Sequence, residues 1–294
     1  MSDLKEYLSQ RCQFVDTALN RLIPGSDTRP TILHQAMRHS MFAGGKRLRP
    51  ILCLAAAEAC GGTAEDAVYN ACAVECLHTY SLIHDDLPCM DDDDMRRGVP
   101  TCHKVYGEAI ALLAGDALQA LAFELVTKTP MSTLHPTAVV VLELARTAGS
   151  LHLVGGQVAD LEGEGKKLPI EDLRFIHEGK TAALLTTSVK LGGMSANASV
   201  EQMKALHEFG MATGLAFQII DDILDVTQTS EKLGKSAGKD LEAEKSTYPA
   251  LMGLEASRAE AHRLTEVSHR ALDVFGDAAL RLRQLSDHLL NRDY

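Results

Sequence analysis

Six aspartates fall within ten positions, Asp85-Asp86-Leu87-Pro88-Cys89-Met90-Asp91-Asp92-Asp93-Asp94. Carboxylates packed that densely repel one another and need a cation or water between them. The run follows an apolar segment (Ala67, Val68, Ala71, Val74, Leu77, Leu82, Ile83) that reads as a helix, and negative charge at a helix C-terminus opposes the macrodipole. A divalent cation resolves both conflicts; a solvated acidic helix end is the plainer reading. Asp85 and Asp91 stand about 240° apart round a regular helix, so they converge on one ion only if the chain bends, and Pro88 supplies the break. A second cluster, Asp221, Asp222 and Asp225, joins Gln218 at i, i+3, i+4 and i+7, one polar stripe on a helix of Leu215, Phe217, Ile219, Ile220 and Ile223. All-oxygen ligands without neighbouring His or Cys select a hard cation, Mg²⁺ before Zn²⁺, and Mg²⁺ held by few carboxylates commonly also binds phosphate.

Cations lie near both clusters in sequence. Lys46, Arg47 and Arg49 crowd one turn, Arg96 and Arg97 follow the first Asp run, and Lys180-Thr181 sits inside a helical pattern. Lys235 and Lys239 bracket a Gly-containing segment after the second cluster, and His78 lies two turns before Asp85 on the same helix face. Arg forks and Lys point charges are natural phosphate binders, although each alone reads equally as solvated surface. Gly179-Lys180-Thr181 is not a P-loop, because Arg174 stands where that motif needs Gly and no strand precedes it. With no nucleophile elbow or Cys/His pair either, the chemistry expected is metal-and-diphosphate chemistry without a covalent enzyme intermediate.

The elements that must position these groups are helices. Segments 31–43, 51–60, 64–86, 107–128, 136–161, 170–191, 200–226, 248–275 and 277–291 carry helical periodicity with Gly, Pro or Asn breaks, and strand signals hardly occur. The fold class expected is all-α, a helical bundle in one domain over residues 1–294. The chain is 46% hydrophobic, 4% aromatic and without Trp, with net charge -11, which disfavours nucleic-acid and anionic-membrane binding. No apolar run approaching the ~20 residues of a membrane helix is expected. Seven cysteines without a CxxC pair read as buried free thiols in a reducing compartment, and the start lacks a signal-peptide pattern, so a cytoplasmic location is expected.

At these residues the sequence resembles the short-chain trans-isoprenyl diphosphate synthases, the bacterial farnesyl diphosphate synthases above all. The motifs are Gly-Gly-Lys-Arg-Leu-Arg-Pro (44–50), His-x-Tyr-Ser-Leu-Ile-His-Asp-Asp-Leu-Pro-x-Met-Asp (78–91), Asp-Asp-Met-Arg-Arg-Gly (93–98), His103-Lys104, Ala114-Gly115-Asp116, Gly156-Gln157 with Asp160, Gly179-Lys180-Thr181, 217–225, Leu233-Gly234-Lys235 and Gly238-Lys239-Asp240. They run in order over roughly residues 34–250. Met95, where the family pattern has Leu, is a mild departure. The resemblance implies a homodimer of the isoprenoid synthase fold, with helices round a deep central cavity, joining an allylic diphosphate head to tail with isopentenyl diphosphate.

Carried over by position, Asp85, Asp91 and Asp221 would ligate three Mg²⁺ ions (Mn²⁺ as a substitute) that grip the allylic diphosphate, with Asp86, Asp222 and Asp225 acting directly or through metal-bound water. Arg96, Lys180 and Lys235 would hold the same leaving group. Lys46, Arg49, His78 and Arg97 would bind isopentenyl diphosphate, and Thr181 and Gln218 would stabilise the carbocation. Tyr80 and Ser81, about one helical turn before Asp85, would form the pocket floor, and a bulky Tyr there resembles enzymes stopping at fifteen carbons. Farnesyl diphosphate is therefore the expected product, with geranyl or geranylgeranyl diphosphate as alternatives. A His-Asp metallophosphohydrolase, a class I terpene cyclase and a catalytically silent partner subunit are the rival readings. The first leaves the second Asp cluster idle, the second needs no second diphosphate pocket, and the third does not account for intact Asp clusters.

Overall fold

A computed structural model describes residues 2–130, 132–227 and 246–290. Fourteen α-helices are found among the described residues: α1 (Ser2–Leu22), α2 (Thr31–Met41), α3 (Leu48–Ala59), α4 (Ala64–Asp85), α5 (Cys102–Tyr106), α6 (Glu108–Val126), α7 (Thr137–Ala148), α8 (Leu153–Gly163), α9 (Ile170–His177), α10 (Ala183–Ser195), α11 (Val200–Thr227), α12 (Tyr248–Met252), α13 (Leu254–Ala271) and α14 (Leu280–Leu290). A π-helical turn, Glu178–Ala182, joins α9 to α10, and a 3₁₀ segment, Leu272–Ala279, joins α13 to α14. The chain is thus all-α, apart from a two-residue antiparallel ladder, β1 (Met95–Arg96) with β2 (Val99–Pro100).

Helix α4 is the central post. Thr63 and Asp66 form a reciprocal capping box at its start, with Asp66 N–H donating to Thr63 Oγ1 (3.3 Å) and Thr63 N–H to Asp66 Oδ2 (2.9 Å). Ala71, Cys72, Ala73, Val74, Cys76 and Leu77 are all fully buried, as expected of a helix apolar on every side. Small residues let α3, α6 and α10 close round it. One apolar cluster joins α4 to α1, α2, α3, α6 and α7; a second joins α3 to α11 and α14; a third seals α11 against α12 and α13.

Several expectations change. Helix α1 was outside the periodic segments, yet it buries Tyr7, Val15, Ala18 and Leu19. The expected 136–161 helix breaks after Ala148, where Gly149 takes an extended conformation, and 248–275 breaks at Gly253, φ +83°. Segments Glu108–Thr127 and Thr137–Gly163 are long and apolar enough to cross a membrane by length and composition, contrary to the expectation of no such run. Glu108–Thr127 contains α6, whose apolar residues pack on α4. All seven cysteines are free, but only Cys53, Cys72, Cys76 and Cys102 are buried; Cys12 and Cys60 are half-buried and Cys89 is exposed.

Candidate active site

The first Asp cluster begins where α4 stops. Asp86 caps the helix, Leu87 N–H bonds to the His84 carbonyl, and Asp91 N–H returns to the Asp85 carbonyl at 2.9 Å. The bend at Pro88 therefore folds Asp91 back over Asp85. Asp85 is half-buried, and desolvation pushes its pKa up to about 6, opposed by Lys180 and reinforced by Asp91. Asp86 is 3% exposed and accepts from Arg96 Nε at 2.6 Å, while Arg96 also reaches Asp93 Oδ2 at 3.3 Å. Burial raises the Asp86 pKa as well, with Arg96 as the counterweight.

A cavity of ≈ 440 Å³ opens beside Asp85, walled by α4, α6, α8, the π-turn and α10. Tyr80, Ser81 and His84 line it from α4, Leu112 from α6, Val158 and Leu161 from α8, and Lys180 and Thr181 from the π-turn. Tyr80 is buried and meets the His84 ring edge-on at 5.5 Å; Ser81 Oγ donates to the His78 carbonyl at 2.9 Å.

The π-turn connects this cavity to the second cluster. A π-turn widens the helix by one residue per turn, which sends Lys180 towards Asp85 and Thr181 towards α11. Lys180 Nζ donates to Asp160 Oδ2 at 2.7 Å. Thr181 Oγ1 donates to Gln218 Oε1 at 3.1 Å, and Gln218 Nε2 reaches Asp221 Oδ2 at 3.5 Å. Close approach of α8 depends on glycine: a Cβ on Gly156 would lie 2.5 Å from the Lys180 backbone nitrogen and 3.1 Å from Gly179 Cα. Asp222 accepts from Tyr248 N–H at 2.9 Å, and His177 stacks on the Tyr248 ring at 5.5 Å. Asp225 is buried, and its Oδ2 has no hydrogen-bond partner among the described residues.

A cationic pocket forms where α3 meets α4. Arg49 Nη1 and His78 Nε2 lie 3.2 Å apart, and the Arg97 guanidinium donates to the Gly44 carbonyl. Gly45, at φ +130°, leaves room for that guanidinium, since a Cβ there would lie 2.5 Å from Arg97 Nη1. Burial, then Arg49 and Arg97, hold the His78 pKa well below its usual value, so His78 is neutral. Lys46 is exposed on the same turn. Arg47 points elsewhere: it is 3% exposed, pairs with Glu75 at 2.9 Å and Asp16 at 2.7 Å, and donates to the Met41 carbonyl.

The carboxylates suit a hard divalent cation. Asp85 carries a raised pKa among like charges, and Asp225 keeps a buried oxygen unpartnered; oxygen donors in that condition are what Mg²⁺ takes. Asp85, Asp91, Lys180, Thr181, Gln218 and Asp221 are thus drawn into one region, and Arg49 and His78 line the same cavity as Asp85 and Lys180, with Arg97 beside His78. Lys235 lies outside the described residues. Asp160 and Gln157 carry weight that spacing alone did not assign them: Asp160 holds Lys180, and Gln157 lines the cavity with a buried Nε2 that lacks a partner. The signal available was their place in the Gly156-Gln157…Asp160 motif.

Comparison with known proteins places the chain in a family. The polyprenyl synthetase family model matches residues 30–274. The chain is 48% identical to the chloroplastic geranylgeranyl pyrophosphate synthase of Capsicum annuum over 99% of this chain and 79% of that protein. It is equally 48% identical to the chloroplastic heterodimeric geranylgeranyl pyrophosphate synthase large subunit 1 of Arabidopsis thaliana, over 99% and 80%. The crystal structure of geranylgeranyl pyrophosphate synthetase from Pyrococcus horikoshii superposes with a TM-score of 0.91 at 31% identity, covering 99% of both chains. With a cavity lined by Asp85 and linked through Thr181 and Gln218 to Asp221, and a family match over most of its length, the chain belongs to the polyprenyl synthetase family of prenyltransferases.

Proposed function

We propose that this prenyltransferase ionises an allylic diphosphate at the Asp85/Asp91/Asp221 region and condenses it with isopentenyl diphosphate held by Lys46, Arg49, His78 and Arg97. The observation that carries this reading is a single cavity lined both by Asp85 and Lys180 and by Arg49 and His78, so that carboxylate and cationic groups meet in one space beside α4. Mg²⁺ held by the carboxylates, three ions by family resemblance, supplies Lewis-acid stabilisation of the departing diphosphate. Lys180, steadied by Asp160, and Arg96, steadied by Asp86, present fixed positive charge to that leaving group. Neutral His78 donates or accepts without adding charge beside two guanidiniums. Thr181 and Gln218 place hydroxyl and amide dipoles at the cavity mouth, where an allylic carbon loses its diphosphate. Leu112, Val158 and Leu161 give the cavity an aliphatic lining that offers a cation no nucleophile.

The product proposed is the twenty-carbon geranylgeranyl diphosphate, on the support of the named activities of the Capsicum and Pyrococcus relatives. Those relatives favour it over the fifteen-carbon product expected from Tyr80. The shorter product retains one supporting observation, the buried Tyr80 ring in the wall of the cavity one turn from Asp85. Incubating the purified chain with isopentenyl diphosphate, Mg²⁺ and dimethylallyl, geranyl or farnesyl diphosphate, then chromatographing the dephosphorylated products, decides it. Accumulation of geranylgeraniol from each primer is expected. Farnesol as the end product would restore the shorter reading, and diphosphate release without elongation would overturn both. Tyr80→Ala should lengthen the product by at least one isoprene unit, and an unchanged spectrum would remove Tyr80 from the floor.

A homodimer is proposed on the apolar face that α6 and α7 leave uncovered, where Leu113, Val139 and Leu142 are each more than 40% exposed. The heterodimeric Arabidopsis relative makes a mixed oligomer the alternative, and light scattering on the purified chain separates them. We propose a cytoplasmic location, supported by seven free cysteines.

A further inference from the structure

Asp92 and Asp94, beyond the carboxylates assigned above, converge on His103 at the start of α5: one ligating atom from each lies within 4.8 Å of the other two. His103 is only 7% exposed, and its Nε2 has no hydrogen-bond partner. Its other nitrogen is accounted for. Thr101 Oγ1 donates to the Asp93 carbonyl at 2.8 Å, so it accepts from His103 Nδ1–H at 3.2 Å. That bond fixes the tautomer and leaves the Nε2 lone pair as the free coordination point. A buried, unpartnered nitrogen on a ring that meets two carboxylates is a place for a cation. An imidazole whose second N–H is held by a hydroxyl is also how metal-binding histidines are oriented.

We propose that Asp92, Asp94 and His103 form a second metal site, separate from the Mg²⁺ carboxylates and selective for a divalent transition ion. Imidazole nitrogen with two carboxylates suits Mn²⁺, Co²⁺ or Zn²⁺ and does not suit Mg²⁺. Bonds of about 2.1 Å bring ligand atoms to roughly 3.4 Å from one another, so the carboxylates close in by about 1 Å; both aspartates are exposed and can move. Lys104 Nζ now holds Asp94 Oδ1 at 2.6 Å and must yield that oxygen or leave the ion the second one. Occupancy fastens the loop that carries Asp91, and the ladder that carries Arg96, to α5.

The test is a Co²⁺ titration of the full-length chain in a large excess of Mg²⁺ and without diphosphate, followed by visible absorption. The expected result is a saturable band at about one Co²⁺ per chain, with affinity at least about tenfold weaker in Asp94→Asn and in His103→Ala. Because His103 is buried, the exposed Asp92→Asn and Asp94→Asn variants keep the test independent of folding. Lys104→Ala should tighten binding by removing the competitor for Asp94. An Asp85→Asn/Asp221→Asn variant should retain the band. No saturable band, a band unchanged by Asp94→Asn, or one lost in the Asp85→Asn/Asp221→Asn variant would each overturn the site.

Discussion

Replacing Gly156 by Ala tests whether the crossing of α8 over the π-turn sets the position of Lys180. The added Cβ would lie 2.5 Å from the Lys180 nitrogen and 3.1 Å from Gly179 Cα, both backbone atoms that no rotamer change can move aside. Relief to an ordinary carbon–nitrogen contact of roughly 3.5 Å requires the two segments to part by about 1 Å. Such overpacking costs about 1–3 kcal/mol, or roughly 2–10 °C in Tm for a chain of this size. The Lys180–Asp160 bond spans the same crossing, and opening it from 2.7 Å by that amount breaks it. A misplacement of about 1 Å in a positioning group costs on the order of 100-fold in rate. The assay is kcat and KM for condensation at 25 °C alongside thermal unfolding. Leu19→Ala, in fully buried α1 packing away from the cavity, is the stability control, expected to lose about 2–5 kcal/mol while kcat holds. If Gly156→Ala melts lower yet keeps full kcat, α8 does not position Lys180 and the reasoning fails.

Three further outcomes follow from individual side chains. Above about pH 4 the unfolded chain ionises Asp85, whereas the folded chain keeps it protonated up to about pH 6, so its contribution lowers stability progressively across that window and levels off above it. The difference from 3.8 to about 6 corresponds to about 3 kcal/mol. Asp85→Asn should therefore melt higher than the parent at about pH 8 and equally at about pH 3.5 while losing turnover; equal melting at both pH values would disprove the raised pKa. Asp221→Ala should reduce kcat by at least about 100-fold with an unchanged circular dichroism spectrum, and retained activity would remove its metal role. Arg47→Ala strands Glu75, 2% exposed, in the core, and should cost about 3–5 kcal/mol. A normal Tm with a raised KM for isopentenyl diphosphate would instead place Arg47 in the site.

Chemistry written in contiguous residues was legible before any folding. Helical period, the break at Pro88 and the oxygen-only donor sets all depend on neighbours within one or two turns, so one-dimensional spacing captures them. Cations are different. Lys46, Arg47 and Arg49 occupy four consecutive positions with Leu48 between them, yet Arg47 turns inward to Glu75 while Arg49 meets His78. The left-handed backbone of Arg47, φ +48°, together with where α4 happens to pass, makes that choice. The same holds for α1 and for the π-turn: a polar N-terminal segment becomes a packed helix because Val15 and Leu19 find a core, and one extra residue per turn leaves no compositional trace. The cavity that Tyr80 lines is the furthest from sequence, because its other walls come from α6, α8 and α10. Sequence alone determined which atoms could hold a metal and a diphosphate. Only tertiary packing decided which cations face them, since the cation pairings close loops of 20 to 29 residues and exist only once separate helices meet.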